Sequence, residues 1–151
     1  MDIIRMDRSM ADEFCELRMK LFFELGEIDQ KTDIGSLEKA TRDYYLLHID
    51  SNLICWGIKN ENKIAATASL CLFSRIPYEE NKTGSEGYIL NIYTLPEYRK
   101  QGFAKSLINE IIKYAEDNNI RRLWIDSSKD GKPVYLKKGF EEKNNVMELF
   151  L

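Results

Sequence analysis

The chain has 151 residues, 44% of them hydrophobic and 31% charged, with 25 acidic against 22 basic side chains and a net charge of -3. That length supports one domain with an ordinary core, and the acidic balance excludes a general electrostatic attraction to nucleic acid or anionic membrane. Cys15, Cys55 and Cys71 are widely spaced with no C-x-x-C pair, which argues against a disulfide framework or a structural metal site and fits a reducing compartment. No apolar run approaches the roughly 18 residues of a membrane helix, and M-D-I-I-R-M-D-R at the start lacks the apolar core of a signal peptide. These features predict a soluble, cytoplasmic, single domain over residues 1–151.

Asp2 to Met6 suits a first strand. Ser9 is placed to cap a helix whose apolar residues Phe14, Leu17, Leu21, Phe22 and Leu25 recur at helical spacing, with Gly26 as its stop. After a polar loop, Ser36 opens a second helix through Leu37, Ala40, Tyr44, Leu47 and His48. The period then changes. Leu53–Ile58 and Ile64–Phe73 read as strands joined by the turn residues Asn60-Glu61-Asn62, and Gly87–Leu95 reads as a third, ended by Pro96.

From Gly102 the helical period returns, with Phe103, Ala104, Leu107, Ile108, Ile111, Ile112 and Ala115 forming one apolar stripe. Leu123–Asp126 is a buried strand, Pro133 sits in the first turn of a short helix, and Gly139 ends it. Phe140–Glu142 and Val146–Phe150 predict a closing hairpin around Asn144-Asn145. The order is that of an α+β fold with a mixed sheet, not a doubly wound one.

Chemistry concentrates between Tyr88 and Leu107, where a strand ends at a proline, a basic loop follows and a helix opens at a glycine. The first turn of a helix carries amides without internal partners, at the positive end of its dipole. Gly102 allows close approach to that backbone, Ala104 keeps the next surface small, and Arg99, Lys100 and Lys105 add full charges. These residues describe a phosphate or pyrophosphate site. A strand, a turn and a solvated basic helix start is the plainer reading of the same spacing. Neither G-x-x-x-x-G-K-[ST] nor G-x-G-x-x-G occurs.

R-K-Q-G-F-A (Arg99 to Ala104) resembles the [Q/R]-x-x-G-x-[G/A] signature of the GNAT superfamily of acyl-CoA-dependent N-acetyltransferases, and T-L-P-E-Y-R resembles its strand-to-loop lead-in. Further on, Y-L-K-K-G-F (Tyr135 to Phe140) is similar to the family's C-terminal Y-x-x-x-G-F pattern. The resemblance covers Tyr88 to Phe140, while the N-terminal half matches in element order. It implies a mixed, mostly antiparallel sheet splayed between strands 4 and 5 and flanked by about four helices.

The same resemblance implies that acetyl-CoA lies in the splay and that no metal is needed. The backbone of Ile92, Tyr93 and Thr94 would hold the pantetheine arm. Arg99 and the amides from Lys100, Gln101 and Gly102 through Phe103 and Ala104 would hold the pyrophosphate, with Lys105 and Ser106 toward the phosphates. A small-molecule primary amine would attack the thioester directly. Tyr135 matches the family's tyrosine that protonates the leaving thiolate, a phenol of ordinary pKa about 10.

Where many members carry a strand-4 glutamate as base, Glu86 lies at the strand's start and Asn91 stands nearer the reacting carbonyl, able to orient the amine or a water but not to take its proton. No base is named. Glu24, Glu27 and Tyr44, with neighbouring aromatics, suit a cationic acceptor, although they also read as packing and a solvated acidic face. Two other readings stand beside catalysis. One is a non-catalytic acyl-CoA-binding module on the same fold; the other is a thiol enzyme that would need Cys55 or Cys71 paired with His48. Homodimerisation is compatible with the apolar end at Phe150 and Leu151.

Overall fold

The computed structural model describes residues 2–151. Strand β1 (Asp2–Arg5) leads through a 3-10 turn at Arg8–Met10 into α1 (Ala11–Leu25). Asp7, in extended backbone, is the capping residue: its Oδ1 accepts from the Ser9 N–H at 2.8 Å and the Ser9 hydroxyl at 2.6 Å. Ser9, expected to cap, is itself capped, because a carboxylate two residues earlier reaches the free amide first.

The second helix, α2 (Gly35–His48), buries a stripe one residue away from the expected one. Tyr45 is fully buried, its ring 4.5 Å from that of Phe14 and its hydroxyl donating to the Asp7 carbonyl at 2.7 Å. Tyr44 and Leu47 are exposed. Of two adjacent tyrosines, the buried one is the one whose hydroxyl meets a backbone carbonyl.

Strands β2 (Leu53–Asn60), β3 (Lys63–Ser74) and β4 (Ser85–Thr94) form an antiparallel meander, and β1 pairs antiparallel with β2. Helix α3 (Phe103–Asp117) then crosses over to β5 (Arg122–Trp124), which pairs parallel with β4. The sheet order is β1-β2-β3-β4-β5.

One face of the sheet presents Ile54, Trp56, Ile58, Ala66, Ala68, Leu70 and Ile89 to Leu107 and Ile111 of α3. The other carries Leu53 and Cys55 under α1 and α2. Period-2 alternation in the strands and a 3.6-residue stripe in α3 thus meet as expected. Helix α4 (Lys132–Leu136) completes the order, with Pro133 in its first turn.

The closing hairpin does not form. Residues 141–151 have no regular structure, and Val146, Met147, Leu149, Phe150 and Leu151 are exposed. Phe140 packs edge-on against Tyr135 with ring centres 5.7 Å apart, and its N–H donates to the Tyr135 carbonyl, so it closes α4 instead of starting a strand. The run from Val146 to Leu151 is apolar at all but one position. Such a run suits a strand buried on both faces, and a two-stranded hairpin alone supplies no such burial.

Candidate functional site

Strands β4 and β5 separate early. Their pairing covers only Glu86–Tyr88 against Arg122–Trp124, while β4 continues to Thr94. From Ile89 onward β4 has β3 on one side and no strand on the other. Within this stretch the β3 register jumps from Ser69↔Leu90 to Thr67↔Tyr93, so Asn91 and Ile92 together oppose Ala68. Asn91 sits at φ +56°, a left-handed conformation that asparagine tolerates better than most residues. This is a β-bulge that re-aims a side chain at the mouth of the splay.

Past β4, the turn at Pro96–Tyr98 delivers the chain to α3. Gly102, at φ +81°, is the residue before its first turn, and no side chain caps it. The first backbone donor with a partner is Ser106, to the Gly102 carbonyl at 3.0 Å. The N–H groups of Lys100, Gln101, Gly102, Phe103, Ala104 and Lys105 have none among the described residues. A Cβ built on Gly102 meets nothing within 4 Å, so this backbone faces open space. The first turn carries no acidic residue. Six consecutive free donors at a helix start make a cradle able to take an anion.

Arg99 flanks the cradle. Its Nε donates to the Thr94 carbonyl at 3.0 Å, its Nη2 meets Glu24 Oε2 at 2.5 Å, and its guanidinium lies 5.7 Å from the Tyr93 ring centre. Glu24 holds the Arg99 guanidinium charged, raising its pKa. Tyr93 is buried with its phenol pKa raised, first by burial and then by Glu24. The Lys105 side chain is exposed.

On the α1–α2 side of the sheet, Asn91 Oδ1 accepts from Arg18 Nη1 at 3.5 Å, while its Nδ2 is buried with no partner. Arg18 lies 4.4 Å over the Phe22 ring. Burial lowers the Arg18 pKa, opposed by the nearby Cys71, Glu27 and Tyr88. Tyr88 packs on Trp124 with ring centres 4.4 Å apart and donates to Asp126 Oδ2 at 3.0 Å. Burial and this bond raise the Tyr88 phenol to about 12. Tyr44 lies 3.9 Å from Cys71 Sγ. Glu27 is exposed and has no ion-pair partner among the described residues.

Glu86 does not reach the opening. Fully buried, it accepts from the Tyr78 hydroxyl at 2.6 Å, Arg75 at 3.0 Å and Arg122 at 3.1 Å. Neither is the site a thiol one. Burial raises the Cys55 thiol to about 12, with Ser69 only 3.2 Å away, and His48 Nδ1 is held by Asn52 Oδ1 at 2.7 Å. Tyr135 is buried on α4, its phenol pushed up to about 12 by that burial. It lines a cavity of about 790 Å³ together with Trp124, Phe140 and Val146. No residue from Asn91 through Ser106 lines that cavity.

The sequence profile of the Acetyltransferase (GNAT) family matches residues 11–140. The chain belongs to the GNAT acetyltransferase family. A predicted acetyltransferase of Clostridium acetobutylicum, solved with acetyl-CoA, superposes with a TM-score of 0.89 at 29% identity, over 99% of this chain and 95% of that one. A GCN5-related N-acetyltransferase from Ralstonia eutropha gives 0.88 at 20% identity, over 99% and 97%. The aminoglycoside enzyme AAC(6')-Iy, in complex with a CoA-linked bisubstrate analogue, gives 0.75 at 20% identity, over 99% and 97%. The last two establish likeness of fold. No curated protein sequence matches the chain significantly.

Seen as a GNAT site, the structure gathers Asn91, Ile92, Tyr93, Thr94 and the Arg99–Ser106 loop at the open side of β4. It ties Glu24 to Arg99. Reading the sequence missed Arg18, Tyr88, Trp124 and Asp126. Arg18 lies on a helix face read as packing, and the other three become neighbours only through the parallel pairing of β4 with β5.

Proposed function

We propose that this GNAT protein transfers the acetyl group of acetyl-CoA to a primary amine of a small molecule within a ternary complex, residues 1–151 acting as one domain. The observation that carries the reading is the run of unpartnered amides from Lys100 to Lys105 beside a β4 edge that no strand covers. The cradle would take the pyrophosphate, with Arg99, Lys105 and Ser106 around it. The β4 edge at Ile92, Tyr93 and Thr94, away from β3, would take the pantetheine arm as a strand takes a neighbour, with Arg99 holding the Thr94 carbonyl beside it. A solved relative at 29% identity carries acetyl-CoA.

Acetyl-CoA supplies an activated thioester carbonyl. The chain's part is to hold that carbonyl at the bulge, where the backbone N–H of Ile92 or Tyr93 meets the developing oxyanion, and to hold the amine within reach. Asn91 orients the acceptor. Glu86 is engaged by two arginines and Glu24 by one. Glu27 has no ion-pair partner among the described residues but stands in solvent at the end of α1, whereas Asp126 is tied to β4 through the Tyr88 hydroxyl. Asp126 is the carboxylate we assign to the ammonium, its proton leaving through water. Tyr135, protonated at neutral pH, donates to the departing thiolate.

Thermal-shift titration with acetyl-CoA, CoA and ATP, followed by a thiol-release screen of amines, tests this. At one hundred times its dissociation constant a specific ligand adds about 2.7 kcal/mol, a rise of roughly 5–10 °C for this size. Stabilisation by both CoA species but not ATP, with thiol release on an amine, is the expected result. Stabilisation without turnover on any amine would favour a non-catalytic acyl-CoA-binding module, and no stabilisation would remove the reading altogether.

A further inference from the structure

Five of the arginines have a full carboxylate at short range: Arg5 with Asp50, Arg42 with Asp12, Arg75 and Arg122 with Glu86, and Arg99 with Glu24. Arg8, Arg18 and Arg121 have no such pair among the described residues, and of these three Arg8 and Arg121 are exposed to solvent while Arg18 is not. Arg18 is half-buried, and its polar contact is one long hydrogen bond, 3.5 Å, to a neutral amide oxygen. Taking a guanidinium out of water without an anion is unfavourable, because the lost hydration is not replaced. Glu27, the carboxylate whose field reaches it, stands beyond ion-pair distance.

A second observation lies at the other end of that contact. A guanidinium has only donors, so Asn91 must turn its oxygen to Arg18 and its nitrogen away. Asn91 is 5% exposed, and that nitrogen is buried without a partner. Adding the width of an amide to the 3.5 Å contact puts the two donors no more than about 6 Å apart. Two oxygens of one carboxylate or phosphate span such a gap, one on each donor. The bulge that carries Asn91 is also where the acetyl carbonyl is held under the proposed function, so the donors face the acceptor's side of the reaction.

Two of the features that suggested a cationic acceptor, Glu24 and the aromatic ring of Phe22, are engaged within the chain, while Glu27 stays in solvent at the end of α1. Glu24 is bound to Arg99, and the Phe22 ring is covered by Arg18 itself at 4.4 Å. We infer that the acceptor is an amine that also bears an oxyanion, a carboxylate or a phosphate, bound by Arg18 and the Asn91 amide nitrogen, so that these two side chains set acceptor specificity. The inference rests on the acetyl-transfer reading for its site.

Matched amines test it: β-alanine against β-alaninamide, 4-aminobutanoate against 1,4-diaminobutane, and phosphoethanolamine against ethanolamine, each assayed by thiol release with the intact protein. The anionic member is expected to have kcat/KM at least tenfold higher, and the pair with the larger ratio identifies carboxylate or phosphate. Arg18→Gln should erase the ratio by raising KM for the anionic member, and Arg18→Lys should restore part of it. Retained stabilisation by acetyl-CoA would show that the variants fold.

Preference for neutral or cationic members, or a ratio that survives Arg18→Gln, overturns the inference. An equal loss of kcat on both members does the same, since it would place Arg18 on the reacting carbonyl. If no amine turns over, transfer has failed but the site has not been judged. Calorimetry with CoA-saturated protein then compares N-acetyl-β-alanine, its amide and N-acetyl-phosphoethanolamine. Anion binding that Arg18→Gln abolishes supports the oxyanion site; equal binding of acid and amide, or none, overturns it.

Discussion

Glu86 Oε2 accepts from Arg122 Nη1 at 3.1 Å, and the two residues are register partners at the first of the three positions where β4 and β5 pair before they part. The same carboxylate accepts from Arg75 and Tyr78, so one buried side chain ties the end of β3 and the following loop to the base of the splay. The splay angle therefore has a fixed root. A buried carboxylate held by three donors resists displacement.

Glu86→Gln leaves the shape and removes the charge facing two arginines. Both arginines are partly exposed and recover some hydration, so the loss falls below that of a fully buried pair, about 1–3 kcal/mol. Denaturant unfolding should show that loss. Acetyl-CoA affinity should fall as well, because the root of the gap loosens. A variant of wild-type stability would show that the clamp is dispensable.

Gly102 and Gly84 both adopt positive φ, but for different reasons, and alanine separates them. At Gly102 a Cβ meets nothing within 4 Å, so Gly102→Ala costs only the left-handed backbone, about 1 kcal/mol. The added methyl projects from the cradle, however, and acetyl-CoA binding should weaken at least tenfold by calorimetry. At Gly84 the Cβ would overlap the Arg75 carbonyl oxygen. Gly84→Ala should thus lower stability by more than Gly102→Ala does and leave the cradle untouched.

The sequence made the element order through α4 and the glycine-opened start of α3 legible because both are local. Period 2 in β2 to β4, the stripe of α3, Pro96 and Gly102 each act within a few residues. Where readings went astray, a distant partner decided. Tyr45 displaced Tyr44 from the core because Phe14 and the Asp7 carbonyl lay opposite it. Phe140 turned to Tyr135, and the closing hairpin lost its first strand. Arg18 meets β4 only because a bulge at Asn91, invisible as a pattern, turns an amide toward α1.

Arg99 cannot serve Glu24 and a pyrophosphate equally. The pair is partly exposed, with side chains 40% and 46% accessible, and such pairs are worth about 0.2–1 kcal/mol. Glu24→Gln should therefore strengthen CoA binding up to about fivefold, with a larger effect at low salt. Arg99→Gln should weaken it. Titrations at two ionic strengths check both, and a Glu24→Gln variant that binds CoA less well would mean that the carboxylate aims the guanidinium instead of competing for it.

Burial holds the Tyr135 phenol protonated up to about pH 12, above its ordinary value near 10. The unfolded chain loses this proton first, so between about pH 10 and 12 the native state binds more protons than the unfolded one. Stability then falls as pH rises through that window. Tyr88, also raised to about 12, adds to the slope. Tyr135→Phe should flatten the alkaline part of a stability–pH curve while leaving the neutral region little changed. Its effect on catalysis is separable: at pH 7 to 8 the phenol is wholly protonated, so if it donates to the leaving thiolate, kcat should drop about 10²–10⁴-fold with no change in CoA binding. Turnover that survives the substitution, alongside a flattened alkaline slope, would make Tyr135 a packing residue of α4 and return the thiolate's proton to solvent.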